Sequence, residues 1–281
     1  MQHKNDHHTT PKCYLKNFSD DGKSIFRKHK RVDNGERVNK ELKRPESLKS
    51  ATVRDNFYTV QSGNEPMVIE TLIYEREIEN YYPKYYKLLT DPNNVGLPMM
   101  EDRSRALMCL LSLHCRTPKQ FENFFKEIPN DFNYELDKIQ EDYKGAHLLK
   151  TLTSFIEAHQ FKIFRVATII DTSEFITSDN PVLIVNKEGN LVNSDFRQQF
   201  NKENIIIIPL DPKRCCILTG ASDKNGNNID GKVFYNKIDR INVDCSFVQS
   251  VNYHMMGSAD KYLFGSEKYL NAFFSLWNFE E

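Results

Sequence analysis

The sequence predicts an α+β fold: a helical scaffold of three long helices packed on a small mixed or antiparallel β-sheet, with a further C-terminal helix. Three observations carry the prediction. Ile69, Leu72, Ile73, Ile78, Tyr81, Tyr85 and Leu88 recur at helical spacing within Val68–Leu89. Ile205-Ile206-Ile207-Ile208 is an unbroken β-branched run, as expected of a strand buried on both faces. Between them, from Phe161 onward, helical periodicity gives way to extended segments. A chain of 281 residues can bury a full core. No internal repeat and no linker rich in Gly or Ser divides it. It reads as a single domain over 1–281: a basic N-terminal segment with a short helix and a β-hairpin (1–60), a helical half (61–160), a β-rich region (161–237) and C-terminal helices (238–281).

Taken in order, Thr10-Pro11 suggests a helix entry, with a hydroxyl N-cap and proline at the first helical position. Tyr14, Leu15 and Phe18 then share one face, and His7 and His8 would project from the helix N-terminus, where an anion is favoured. Asp20-Asp21-Gly22 is a turn, Ser24–Lys30 a strand, Val32–Lys49 irregular, and Asn56–Val60 a second short strand. Asp91–Pro98 ends the first long helix. A second is expected from about Asp102 to Phe125, and a third over roughly Tyr134–Gln160 with Leu148, Leu152, Phe155 and Ile156 inward. Phe175–Thr177 and Val182–Val185 flank a polar Ser178-Asp179-Asn180-Pro181 motif. Asp211-Pro212-Lys213 turns the isoleucine strand into Arg214–Thr219, a hairpin. Asp223–Gly231 is a polar loop. Helical spacing returns at Val248, Val251, Met255, Ala259 and Tyr262, and the chain closes on an aromatic segment, Phe273–Phe279.

Composition narrows the function classes. The N-terminus is polar and basic with no apolar core of a secretory signal, and no apolar run is long enough to span a bilayer, so a soluble, cytoplasmic protein without a membrane partner is expected. The six cysteines contain no C-x-x-C pair and no zinc spacing; Cys215 and Cys216, adjacent in a strand, point to opposite faces. There is no G-x-G-x-x-G after a strand, no P-loop and no G-x-S-x-G elbow. Asp142-Tyr143-Lys144 and Asp211-Pro212-Lys213 have a nuclease-like spacing, but one falls in a helical pattern and the other in a turn. Net charge is −1 but uneven: residues 1–50 hold 13 Lys or Arg against 7 Asp or Glu, a net +6, leaving −7 for the remainder. That segment either meets an anion such as a nucleic-acid backbone, through residues 23–44 with Lys28 and Arg31, or is a solvated charged hairpin.

Three constellations could carry chemistry. Glu70 and Glu77, seven residues apart, would stack on one face of an α-helix about 10 Å apart. They either face a cavity, where they could share a metal or flank a substrate, or solubilise the helix together with Glu75 and Glu79. Arg116 ends an otherwise apolar face and either forks onto a phosphate or pairs with Glu70 or Glu77. Ser178, Asp179 and Asn180 offer a hydroxyl, a carboxylate and an amide from a turn held by strands, or simply bond their own backbone.

The order of these pieces resembles the bacterial domain of unknown function 4238 family. The matching residues are His8-Thr9-Thr10-Pro11 with Tyr14-Leu15 and Phe18, Phe57-Tyr58, Ile69-Glu70 with Glu77, Arg116-Thr117-Pro118, Phe175–Val182, Pro209-Leu210, and Asn252 with Ala259. They span roughly residues 7–265; Thr9 stands where the family usually has an aromatic residue. The resemblance implies a common fold and a shared polar site, brings no settled activity, and is compatible with a defence or toxin role.

Three functions follow as expectations. The first is a phosphodiester hydrolase, nuclease-like: His8 as general acid or base, Glu70, Glu77 and Asp179 holding a divalent cation (Mg or Mn), Arg116 neutralising a phosphate, and Ser178, Asn180, Asn252, Lys28 and Arg31 binding substrate. The second is a module that binds a nucleotide or nucleic acid without chemistry. The third is a metal-independent enzyme that attacks a glycosidic carbon of a nucleotide cofactor. All three require residues scattered from His8 to Asp179 to meet around one site.

Overall fold

A mixed five-stranded sheet separates two hydrophobic layers, and strand alternation builds both. The computed structural model describes residues 6–30, 32–33, 36–37, 45–55, 57, 68–126, 136–220 and 236–276. The large sheet contains β7 (Ile163–Ile169), β9 (Leu183–Val185), β10 (Ile205–Asp211), β11 (Arg214–Thr219) and β12 (Ile238–Val243), in spatial order β12-β7-β11-β10-β9. Only the β12–β7 pair is parallel. Successive side chains point to opposite faces. Phe164, Val166, Ile184, Ile206, Ile208, Cys216 and Leu218 therefore join one core, and Ala167, Ile169, Leu183, Val185, Cys215 and Ile217 join the other. Cys215 and Cys216 split between the two faces, as their adjacency requires.

The first core is closed by helices. They are α2 (Tyr82–Thr90), α3 (Met100–Cys115) and α5 (Leu136–His159), through Tyr85, Leu89, Leu107, Leu110, Leu152 and Phe155. The second is closed by α6 (Cys245–Ser258), by α7 (Glu267–Leu276), and by an antiparallel four-stranded sheet. That sheet contains β2 (Ser24–His29), β5 (Glu46–Ser47), β8 (Thr177–Ser178) and β13 (Tyr262–Gly265), ordered β5-β2-β13-β8. Two short pairs complete the description: β1 (Asp6–His8) with β6 (Val53–Asp55), and β3 (Val32–Asp33) with β4 (Glu36–Arg37). Among the described residues, no helix is long and apolar enough to cross a membrane.

The α+β class, strand β2, the β10–β11 hairpin and the long third helix agree with the sequence reading. Several elements differ. The first long helix is two: a π-helix over Ile69–Glu79, then α2. Its wider ladder shows where Asn80 N–H donates to Glu75 O, five residues back, at 3.1 Å. The second breaks after α3, and α4 (Pro118–Lys126) begins at Pro118, whose missing N–H and ring end the preceding helix. Gln120 N–H lies 3.4 Å from Thr117 Oγ1, so the hydroxyl-then-proline entry expected at Thr10-Pro11 occurs at Thr117-Pro118. Helix α1 spans only Lys12–Leu15, without a side-chain cap, and Thr10 Oγ1 instead points to Asp179 O at 3.4 Å. His7 and His8 sit buried in β1 rather than projecting from a helix.

Helix α6 stops at Ser258, and Tyr262 belongs to β13. The stretch expected to be irregular at 32–49 contains β3, β4 and β5. The short strand expected at Asn56–Val60 lies earlier, at Val53–Asp55; residues 56 and 58–60 are outside the described residues, as is the 223–231 loop.

A buried polar network links α3 and α4 to the strand region. His114 Nε2 lies 3.0 Å from Gln199 Oε1, which also accepts from Gln120 Nε2 at 2.7 Å. Gln199 Nε2 and Asn123 Nδ2 donate to Asn193 O at 2.7 and 2.8 Å, and His159 Nε2 is 3.0 Å from Gln199 O. Burial pushes the His114 pKa down to about 4. Burial, helped by nearby Lys162, takes His159 down to about 3. Both rings are therefore neutral in the fold but take up protons near pH 6.5 once unfolded. Their contribution to stability is complete above about pH 6.5 and is lost as pH falls toward 4. We expect the melting temperature to drop steadily between pH 6.5 and 4. His114→Gln should flatten that drop, removing a term on the order of 3 kcal/mol at full protonation. Parallel pH–melting curves for the two proteins would show that His114 is not its source.

Candidate functional site

The central motif is a locked turn. Strand β8 delivers Ser178 into the second core layer, and Asp179 and Asn180 follow it toward the start of β13. Asp179 Oδ1 accepts from Asp260 N–H at 2.8 Å, and Oδ2 accepts from Lys261 and Tyr262 N–H at 2.8 and 3.1 Å. Burial pushes the Asp179 pKa up, while these amides pull it the other way. Its carboxylate is thus spent on the chain that leaves α6. Asn180 Nδ2 donates to Ser258 O at 3.0 Å, and Asn180 Oδ1 lies 3.2 Å from Thr117 Oγ1. Ser178 Oγ lies 3.1 Å from Met255 Sδ and accepts from Asn180 N–H at 3.1 Å. Asn252, one helical turn earlier on α6, accepts from Ile176 N–H at 3.0 Å and donates to Glu174 O at 2.8 Å. It pins the strand that leads into the motif.

A second polar group is centred on Arg116, which caps α3 and is fully buried. Its Nη1 donates to Glu79 Oε1 at 2.8 Å, its Nη2 to His8 O at 2.5 Å, and Glu70 Oε2 stands 3.8 Å away. The guanidinium lies 4.0 Å over the Tyr74 ring. The π-helix explains the choice of carboxylates. A ladder closed five residues back turns about 82° per residue, so Glu77 lies roughly 150° from Glu70 whereas Glu79 lies within roughly 20°. The pairing expected of Glu70 and Glu77 on one face is therefore corrected to Glu70 and Glu79. Glu77 instead meets Arg105 at 3.4 Å and Arg76 at 3.5 Å, half exposed.

A recess of about 230 Å³ opens beside the locked turn. Asp179, Asp260, Lys261 and Tyr262 line it together with Thr9, Arg27, Pro118 and the 50–54 segment. Arg27 lies 4.3 Å over the Tyr262 ring and bonds Glu46 at 2.6 Å. Arg54, on β6, reaches Asp260 at 3.0 Å. Thr9 Oγ1 donates to Thr52 O at 3.1 Å and Thr52 Oγ1 to Thr10 O at 2.7 Å, which fixes the 50–54 segment against Thr9 and Thr10.

The expected residues divide as follows. His8, Arg116, Glu70, Asp179, Ser178 and Asn180 are joined by short links: His8 O to Arg116, Thr10 to Asp179, Thr117 to Asn180. Glu77 faces elsewhere, and Asn252 stands behind the motif. Lys28 Nζ lies 5.7 Å from the Phe274 ring of α7, so it turns away from its strand neighbour Arg27. Arg31 lies outside the described residues. As a ligand trio, Glu70, Glu77 and Asp179 do not come together: among the described residues, no three His, Cys, Asp or Glu side chains gather as a metal ion needs. Arg54 and Lys261 are not among the sequence-based candidates; Arg27 falls within the basic 23–44 segment without being singled out, and Glu79 is expected only to solubilise the helix. Strand alternation says that Arg27 and Lys28 face opposite ways, but not which faces the site.

Three substitutions separate these roles. Replacing Arg116 with Ala leaves Glu70 and Glu79 without their cation, and urea unfolding should lose about 3–5 kcal/mol. Glu77→Gln should change it by less than about 0.5 kcal/mol. Equal losses would return Glu77 to the buried group. Asp179→Asn removes one acceptor oxygen from three amides and should cost about 2–3 kcal/mol; an unchanged melt would free Asp179 for another role.

No curated protein matches this chain. No solved structure matches it either. A family model described as "Protein of unknown function (DUF4238)" matches residues 6–269 of the 281. That span takes in the locked turn, the Arg116 group and the recess alike, and the chain belongs to the DUF4238 family.

Proposed function

We propose that this protein binds a phosphate-bearing ligand, a nucleotide or nucleic acid, in the recess beside Asp179. One observation carries the reading: Arg27, Arg54 and Lys261 line a polar concavity whose two carboxylates are already engaged. Asp179 is held by backbone amides and Asp260 by Arg54. A guanidinium has five donors, so pairing with one carboxylate leaves Arg27 and Arg54 able to receive phosphate oxygens. The Tyr262 ring under Arg27 holds the guanidinium plane in place.

Phosphodiester hydrolysis, nuclease-like, is the second reading. It is favoured by the position of Glu70 and Glu79, whose side chains stay 14% and 22% exposed beside buried Arg116 and the His8 strand. In this reading Arg116 positions the carboxylates rather than clamping substrate, because it is already paired. Two carboxylates with water and substrate phosphate are a usual shell for Mg, and Mn takes similar ligands. Cleavage that survives a chelator would favour attack at a glycosidic carbon instead.

The binding reading is tested by titrating ATP and a short single-stranded oligonucleotide into the protein. Saturable binding that weakens with salt is expected, and Arg54→Ala should weaken it about tenfold with the melt little changed. Affinity indifferent to both Arg27→Ala and Arg54→Ala would remove the recess from consideration.

A further inference from the structure

We infer that the ligand of the polar recess carries an aromatic ring, and that a neighbouring groove lined by Leu191, Tyr253, His254 and Met256 receives it; the ligand class is a nucleotide rather than a bare phosphate compound. This rests on the reading of the polar recess as a phosphate site. The groove has a volume of about 490 Å³, within the range of small-molecule sites. Both concavities are built on one stretch of chain: Met256 and Gly257 line the groove, and Asp260–Tyr262 line the recess.

Lys30 joins the two. It lines the groove, its backbone N–H donates to Lys261 O at 2.9 Å, and its ammonium donates to Ala259 O. Lys119, from α4, reaches Ser258 O at 3.0 Å and the same Ala259 O at 3.4 Å. Two ammonium groups therefore meet over one carbonyl between the groove and the recess. Burial, then the charge of Lys30, lowers the Lys119 pKa, with Asp260 and Asp179 opposing. A phosphate at this junction relieves the repulsion between two like charges held closer than a Debye length.

The groove itself suits a flat ring. Tyr253 is 46% exposed, and its ring lies 6.0 Å from that of His254. Leu191 and Met256 supply apolar surface. Gly189 has φ of +86° and presents no side chain to the opening. An exposed aromatic beside apolar walls, with Lys30 among the described lining residues, matches a base joined to phosphate.

The test compares ATP with inorganic tripolyphosphate by calorimetric titration of the full chain. ATP should bind about tenfold tighter, the increment of one stacked base. Tyr253→Ala should abolish that difference and leave tripolyphosphate affinity unchanged, with the melting temperature confirming the fold. Equal affinity of the parent protein for the two probes, or an ATP affinity indifferent to Tyr253→Ala, overturns the ring subsite and leaves the phosphate reading standing. If ATP, tripolyphosphate and the oligonucleotide all fail to bind the parent protein, the phosphate reading falls and the ring subsite with it; an oligonucleotide that binds where ATP does not overturns the ring subsite alone.

Discussion

The interaction on which the rest depends is the grip of the Asp179 carboxylate on the amides of Asp260, Lys261 and Tyr262. Those amides belong to the chain just after α6, where helix gives way to strand. A carboxylate accepting three N–H groups satisfies donors that burial would otherwise leave at a cost of about 1–3 kcal/mol each. It also fixes where α6 ends and where β13 begins, and so registers β13 against β8 within the four-stranded sheet. Asn180 extends the grip from both sides, to Ser258 and to Thr117 at the entrance of α4. One turn thus ties α4, α6 and the N-terminal segment at Thr10 together.

This arrangement has a consequence for chemistry. Groups that look reactive as isolated side chains are here the most heavily committed. Asp179 holds backbone, Arg116 holds two carboxylates and a carbonyl, and Asn252 holds the strand before the motif. A buried guanidinium is tolerated only with such partners. The charged groups that line the recess are others: Arg27, Arg54 and Lys261, while Lys30 and Lys119 meet nearby at the Ala259 carbonyl. The committed residues make the frame rigid, and the others present charge from it.

How much of this the sequence revealed depended on the kind of information needed. The motif at 175–182 stands out because three small polar residues in a row next to a proline, between apolar strands, form a block of hydrogen-bonding groups. Arg116 stood out because a charge at the end of an apolar helical face must find a partner, and pairing with Glu70 was foreseen. Glu79 was passed over, because the choice between Glu77 and Glu79 follows from the turn angle of the ladder. Nothing in the local residues marks an i→i+5 ladder; the buried ion group it serves is a tertiary matter. The cap at Thr117 was likewise missed, although it has the same hydroxyl-then-proline spelling as Thr10-Pro11. At Thr10 the hydroxyl is drawn away to the Asp179 carbonyl by a contact across 169 positions.

By itself, the sequence determined the α+β class, the isoleucine hairpin and the opposite facing of Cys215 and Cys216. These depend on periodicity, which each segment carries within its own few residues. Tertiary structure decided which face of β2 looks into the recess, so that Arg27 rather than Lys28 lines it. It also decided which carboxylates meet Arg116, and that Asp179 serves backbone amides. Those outcomes turn on partners tens of residues away, and the preference of an isolated segment is too weak to choose among them.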